Sequence, residues 1–415
     1  MSNAVYDFII VGAGAAGMIA AISANSLGIK ALLIEGNESI GKKILSTGNG
    51  KCNLSHRNIN EEDYSGTGRE YIGAFLNQFG TEDTISFFES LGMMIRDKED
   101  YLYPYSEQAL TVLETLKYKI NSSQIRCEFN CKINSIKRNN KDIFELVAKD
   151  GRVFEAKKIL LCTGGYAAPK SGSDGTGIEI ARTLGLKIID CNPALVKVKS
   201  KSDVCKAFDG VRAKGKINLY IGDELSDITD MGEIQFTKDG LSGIPVFNVS
   251  RTISYALTQN KKVEIKLDLL PDISSDSLVE FLENKIASYP INTTPEIIFN
   301  GLINKKLSQQ IIKQMGLIAE KKMTISREMV IDYVSRVKAC CFDIVGVYGF
   351  DFAQVCAGGV SFSEINEELE AKSIPGLYLA GEILDIDGKC GGYNLQWAWT
   401  SGYLAGRNAA KALNK

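Results

Sequence analysis

Three glycine-bearing stretches hold the groups best suited to chemistry. Gly12, Ala13, Gly14, Ala15, Ala16 and Gly17 form a G-x-G-x-x-G run. At this spacing the first glycine makes a tight turn, the second lets the backbone approach a pyrophosphate, and the third lets a helix pack closely on a strand. Glu35, eighteen residues beyond Gly17, suits a ribose with free hydroxyls: its carboxylate accepts their hydrogen bonds and repels a 2′-phosphate. The second stretch runs from Gly41 to Asn53. There Gly48, Gly50, Lys42, Lys43 and Lys51 offer amides and ammonium groups to phosphate or to an electron-rich ring. The third is Gly391, Gly392, Tyr393 and Asn394, a glycine pair opening a helix, where unpaired amides again face negative charge.

The surrounding pattern supplies the elements that must position these groups. Tyr6 to Val11 is a β-branched strand, Ala15 to Leu27 a small-residue helix stopped by Gly28, and Ala31 to Glu35 a second buried strand. The unit is βαβ with the glycines in its first turn, which makes it a dinucleotide site rather than an ordinary tight turn. Phe8 to Ile34 is long and apolar enough to imitate a membrane span or a secretion signal, but no basic segment or cleavage pattern precedes it. Met1 to Ala4 carry no part of this reading.

Thr81 to Leu91 and Ser106 to Ile120 read as helices, and Cys131 to Phe154 as an antiparallel meander. The meander feeds a buried strand, Lys158 to Gly165, that returns to the parallel sheet. A helix follows over Ile178 to Leu184, with no second G-x-G-x-x-G for a nicotinamide. Ala194 to Ser250 and Lys262 to Leu269 alternate as a β-rich insert, and Ser274 to Val337 follows a helical pattern. Gly376 to Glu382 is a strand ending in glycine and acid, leading to a helix through Ala405. The two chain ends therefore build one site, with the middle inserted as a cap. The expected divisions are 1–192 with 344–415, 193–273 with 334–343, and a helical subdomain over 274–333.

Composition bounds the function. The chain has 415 residues, 45% of them hydrophobic, and a formal charge of −2, which disfavours a general polyanion binder. Its ten cysteines lack the spacing of a disulfide framework or a metal site, so a reducing cytoplasm is the simpler setting. His56 is the only histidine. Triads and histidine-rich metal sites lose their support, and His56 itself reads as a surface loop residue.

The strand ending Cys162, Thr163, Gly164 and Gly165, together with Gly376 to Glu382, is similar to the two-dinucleotide-fold flavoproteins. Lys43 to Asn53, Gly232 to Thr237, Gly240 to Gly243, Gly381 to Asp385 and Gly391 to Asn394 resemble the BaiN/YhiN-type (aminoacetone oxidase-like) FAD-dependent oxidoreductases over nearly the whole chain. The resemblance implies an α/β architecture: a Rossmann-like FAD-binding domain built from both chain ends, with an inserted β-barrel-like domain carrying a helical subdomain.

It also implies site residues. Gly12 to Gly17 would hold the pyrophosphate, and Glu35 and Gly36 the adenosine ribose. Lys43, Gly48, Asn49, Gly50, Lys51, Cys52, Asn53 and Ile133 would line the FAD. Thr163, Gly164 and Gly165 would close over it with Gly381 and Glu382. Asp385, Gly392, Tyr393, Asn394 and Leu395 would meet its ribityl and ring. Lys51 departs from the family's usual arginine. As catalytic groups, Tyr393 beside the ring is a proton donor or a packing residue, and Cys52 a redox partner or a packing thiol.

The implied activity is an NAD(P)H-driven reductase, with NADH or NADPH as transient donor. Hydride would pass from the flavin N5 to an activated C=C bond in the enone of a steroid-like or bile-acid-like small molecule. One alternative is reduction of uridine in ribosomal RNA, recognised through Lys197, Lys199, Lys201, Lys206, Arg212, Lys214 and Lys216 on the insert. Another is an amine oxidase producing hydrogen peroxide. No membrane and no metal enter any of these readings.

Overall fold

The opening βαβ unit consists of strand β1 (Val5–Val11), helix α1 (Ala15–Ser26) and strand β2 (Ala31–Ile34). This computed structural model describes residues 5–123, 125–140, 142–201 and 204–415; Met1 to Ala4 lie outside it. β1 and β2 pair in parallel, with Val11 opposite Ile34. β2 and the second half of β1, Phe8 to Val11, are continuous buried apolar runs because helices and loops cover both sheet faces there.

The sheet runs Arg126–Glu128, β2, β1, Val153–Leu161, Phe144–Ala148 and Ile133–Arg138, and Leu377–Leu379 also pairs with Val153–Leu161. That strand does two jobs. Val153 to Ala156 are antiparallel to Phe144–Ala148, Glu155 to Leu161 run parallel to β1, and Ile159 to Leu161 run parallel to Leu377–Leu379. The last strand of the meander and the returning strand are thus one nine-residue strand.

The C-terminal helix Tyr393–Leu413 outruns the expected end at Ala405. It lies directly on α1. A Cβ on Gly402 would stand 2.3 Å from the Ala16 carbonyl oxygen, and one on Gly406 2.3 Å from that of Ala20. Buried hydrogen bonds fix its start. Trp399 Nε1 donates to Leu54 O (3.0 Å), Ser55 Oγ to Gln396 Oε1 (2.7 Å), Trp397 Nε1 to Gly381 O (3.2 Å) and Gly381 N to Ser401 Oγ (2.9 Å). One rigid element therefore positions both the loop before residue 56 and the turn at Gly381.

The chain divides into two compact units, Met1–Asn192 with Ala353–Lys415, and Pro193–Phe352. The second contains a closed antiparallel barrel in the order Val198–Ser200, Gly240–Ser242, Glu224–Thr237, Arg212–Ile221, Val263–Asp268 and Cys340–Val347. Inward positions such as Ile217, Leu219, Phe236, Ile265, Leu267 and Phe342 are fully buried. Helices Ser275–Ala287, Pro295–Phe299, Lys305–Gln314 and Arg327–Lys338 form the helical part.

Two expectations need correction here. Ile244–Thr258 is a helix inside the stretch read as β-rich, with Pro245 in its first turn and Val246, Val249, Ile253 and Ala256 buried at helical spacing. The return at residue 344 falls inside a barrel wall: Cys340–Val347 is hydrogen-bonded on both sides, to Val263–Asp268 and to Val198–Ser200. The chain therefore stays in the second unit through Phe352.

Candidate functional site

The glycine turn separates packing from binding. A Cβ on Gly12 would lie 2.7 Å from Cys162 O, and one on Gly17 1.9 Å from Gly12 O, so neither position admits a side chain. Gly14 has nothing within 4 Å of its Cβ position. The bare backbone there, through Ala13 and Ala15 to Ala16, opens the helix α1 N-terminus to a ligand.

Glu35 closes β2 and reaches back to this turn. Its Oε2 accepts the Ala13 amide at 3.0 Å, and its Oε1 accepts both the amide and Nδ2 of Asn37 at 2.8 Å. Asn37 also donates to Ser171 O (3.0 Å), so it links the acid to the loop after Gly165. Sequence reasoning missed Asn37; its place two residues after the acid was the available signal. Cys131 donates its amide to Glu35 O (2.9 Å), and a Cβ on Gly36 would lie 3.7 Å from Lys132, the neighbour of the buried Ile133.

In the loop from Gly41 to Asn53, Lys43 Nζ bonds Glu382 Oε2 at 2.7 Å, and Glu382 Oε1 accepts the Cys356 amide at 2.7 Å. Gly48 and Asn49 take left-handed conformations and are exposed, as is Gly50. Lys51 pairs its ammonium with Glu107 at 2.9 Å on the surface, where Glu107 also meets Arg96. Of the two roles open to Cys52, its surroundings favour packing. It is fully buried, and desolvation pushes its thiol up to about 12, which leaves a packing thiol.

Thr163, Gly164 and Gly165 close the strand Val153–Leu161 beside Ser173, Glu382 and Cys356. Asp385 is buried, and its Oδ2 accepts the Thr67 amide at 2.8 Å. The side chain of Asn394 is committed within its own loop, exchanging hydrogen bonds of 2.8 Å with Gly388 N and O. Its contribution reduces to a first-turn amide behind Gly392, next to the half-buried Leu395.

Tyr393 stacks on His56 at 5.1 Å, meets Tyr64 edge-on at 6.2 Å, and accepts the Tyr64 hydroxyl on its backbone oxygen at 2.9 Å. His56 is therefore not a bare loop residue. It forms a short strand with Ser55 that pairs opposite Tyr101, whose ring lies 5.0 Å away edge-on. Burial, reinforced by Asp63, pushes the Tyr393 phenol above its ordinary range.

A family model, the HI0933-like protein Rossmann domain, matches residues 6–408. The chain belongs to the HI0933-like family. An HI0933-like chain is a flavoprotein oxidoreductase, here FAD-dependent. It is 36% identical over 408 residues to the 3-dehydro-bile acid delta(4,6)-reductase of Clostridium scindens, across 97% of this chain and 98% of that one. It is 26% identical over 401 residues to the ribosomal RNA dihydrouridine synthase of Haemophilus influenzae, across 95% and 96%. The solved 3-ketosteroid-delta4-(5alpha)-dehydrogenase of Rhodococcus jostii RHA1 aligns with a TM-score of 0.52 at 15% identity, covering 99% of this chain and 98% of that one. That likeness is one of fold.

The residues present fit FAD. Asn53 Oδ1, Thr163 Oγ1 and Asp385 Oδ1 are buried without a hydrogen-bond partner among the described residues. Buried polar atoms are normally satisfied, and these three belong to the set expected from the sequence to meet the cofactor. The hydroxyls of a ribityl chain and the N–H of a flavin ring are suitable donors to them. Among the described residues no helix is long and apolar enough to cross a membrane, and no cluster of three or more His, Cys, Asp or Glu side chains suits a metal ion.

Proposed function

We propose that the chain is an NAD(P)H-driven reductase that saturates a conjugated C=C bond in a steroid-like or bile-acid-like enone. The observation that carries this reading is the Tyr393 phenol, buried and kept protonated at the start of the C-terminal helix, within a wall of His56, Tyr64 and Tyr101. FAD, when bound, supplies the hydride, and NADH or NADPH restores it as a transient donor. Tyr393 delivers the proton to the carbon next to the one that receives hydride. The aromatic wall offers a flat apolar acceptor a dry face.

The full-length relationship to the Clostridium scindens reductase supports this substrate class. The basic run on the barrel is partly neutralised, which gives less support to RNA. Arg212 pairs with Glu233 at 3.0 Å, and Lys197 and Lys199 each lie 4.9 Å from the Tyr348 ring, whose hydroxyl bonds Asp239. Uridine reduction in ribosomal RNA is the second reading, favoured by the relationship to the dihydrouridine synthase and served by the same acid.

The test is incubation of the FAD-loaded protein with NADH or NADPH and a 3-oxo bile acid conjugated to ring C=C bonds. The expected product carries two added hydrogens per reduced bond by mass spectrometry. Nicotinamide consumption that yields peroxide and leaves the bile acid unchanged would contradict the proposal.

A further inference from the structure

One face of a small sheet beside Tyr393 carries aromatic and cationic side chains in a row. The sheet consists of Ser55–His56, Tyr101–Pro104 and Ile95–Lys98. Glu99 and Asp100, both left-handed, join the last two strands in a tight hairpin. Residues directly opposite each other in antiparallel strands share a face, as do alternate residues along one strand. His56 is opposite Tyr101 and Arg96 is opposite Tyr103, so all of these side chains stand on one side. Tyr105 extends the row. Its amide donates to Met94 O at 2.9 Å, and the Arg96 guanidinium lies 4.4 Å from its ring centroid. The opposite face is committed within the protein, with Leu102 fully buried and Asp97 bonded to Arg57 at 3.0 Å.

The two ends of the row differ. At one end Tyr101 packs against Gly391, where an added Cβ would stand 2.6 Å from its ring, and meets His56, which stacks on Tyr393. At the other end Tyr105 is 54% exposed, and Glu107 pairs with both Arg96 (3.0 Å) and Lys51 (2.9 Å). One carboxylate against two cations leaves one positive charge uncompensated within this trio. Tyr101 and Tyr105 are four residues apart, about 13 Å along an extended strand.

We propose that this face is the acceptor platform: the fused rings of a steroid-like enone lie along Tyr101 and Tyr103, and a single side-chain carboxylate is held by Arg96 and Lys51. Resting on the reductase reading of the same site, this assignment makes the acceptor a monoanionic steroid. Tyrosine rings pack flat apolar surface and keep a polar tip for water. The guanidinium fork matches a carboxylate, and a surplus of one charge suits a monoanion better than the pyrophosphate of a nucleotide.

The test measures binding to the oxidised, FAD-loaded full chain by titration calorimetry without nicotinamide, so no turnover enters it. The ligands are a 3-oxo bile acid with conjugated ring C=C bonds and its methyl ester. The wild type should bind the acid about fivefold more tightly than the ester, and Arg96→Met should bring that ratio to about one. Glu107→Gln, which releases both cations, should widen the ratio, whereas Tyr103→Ala should weaken both ligands and leave the ratio in place. A variant damaged in folding also weakens both ligands together, so the ratio reports the charge contact alone. Absence of binding, equal affinity of acid and ester in the wild type, or an unchanged ratio in Arg96→Met would overturn the platform even if the enone is reduced. Variants that weaken NADPH and spare the bile acid would assign the face to the donor and overturn it as well. The expected ratios in a protein that fails to reduce the enone would support the face and contradict the reductase reading.

Discussion

Lys43 and Glu382 stand 339 residues apart in the chain and meet as an ion pair of 2.7 Å. Their side chains are 27% and 20% exposed, between a screened surface pair and a dry one. The pair fastens the loop after β2 to the turn that follows the strand Leu377–Leu379, and the Cys356 amide holds the other Glu382 oxygen at 2.7 Å. Breaking it should cost about 1–2 kcal/mol. We expect Lys43→Met to weaken FAD binding about tenfold by titration calorimetry, and the double variant with Glu382→Gln to lose less than the sum of the two. Unchanged affinity in Lys43→Met would show that the pair does not shape the cradle.

The three glycines of the turn should fail in different ways. Gly14→Ala meets no protein atom, so the apo protein should melt as the wild type does while FAD retention is lost. Gly17→Ala drives a methyl to 1.9 Å from Gly12 O and should cost about 1–3 kcal/mol of stability. Thermal melts of both apo proteins, beside their flavin content after reconstitution, separate the two effects. Equal melting losses would contradict a binding role for Gly14.

Tyr393→Phe keeps the ring on His56 and removes the proton. Reduction of the flavin by NADH or NADPH should be unaffected, whereas reoxidation by the acceptor should slow about 10²–10⁴-fold. Because burial raises the phenol, the acid form persists beyond the ordinary value of about 10. The acceptor half-reaction of the wild type should therefore stay flat from neutral pH to about 10 and fall only above it. The same shift stabilises the fold below the unfolded value and is lost as pH rises through the folded one. An inflection at or below the ordinary phenol value would point to a different acid.

The parts legible in the sequence are those fixed by local rules. The β1 turn, Glu35 and the glycine pair at 391 and 392 announce themselves because each needs a particular residue type at a particular spacing. Alternation revealed the barrel strands, though closure of the barrel depends on pairing between residues far apart, such as Val198 with Val347. The helix Ile244–Thr258 was written in Gly243, Pro245 and a helical apolar spacing, and short-range alternation obscured it. His56 and Lys51 were beyond local reading: their contacts with Tyr101 and Glu107 are tertiary facts. Trp397 and Trp399 look like ordinary core residues in sequence, yet their indole nitrogens fix the turn at Gly381 and the loop at Leu54.

The most direct measurement is an anaerobic stopped-flow experiment on the FAD-loaded protein. Mixing with NADH or NADPH should rapidly remove the visible flavin absorbance, and the loss should persist until a conjugated enone restores it. If both nicotinamides leave the flavin oxidised, while an amine bleaches it and air restores the colour with release of peroxide, the protein is an oxidase and the reductase account is contradicted.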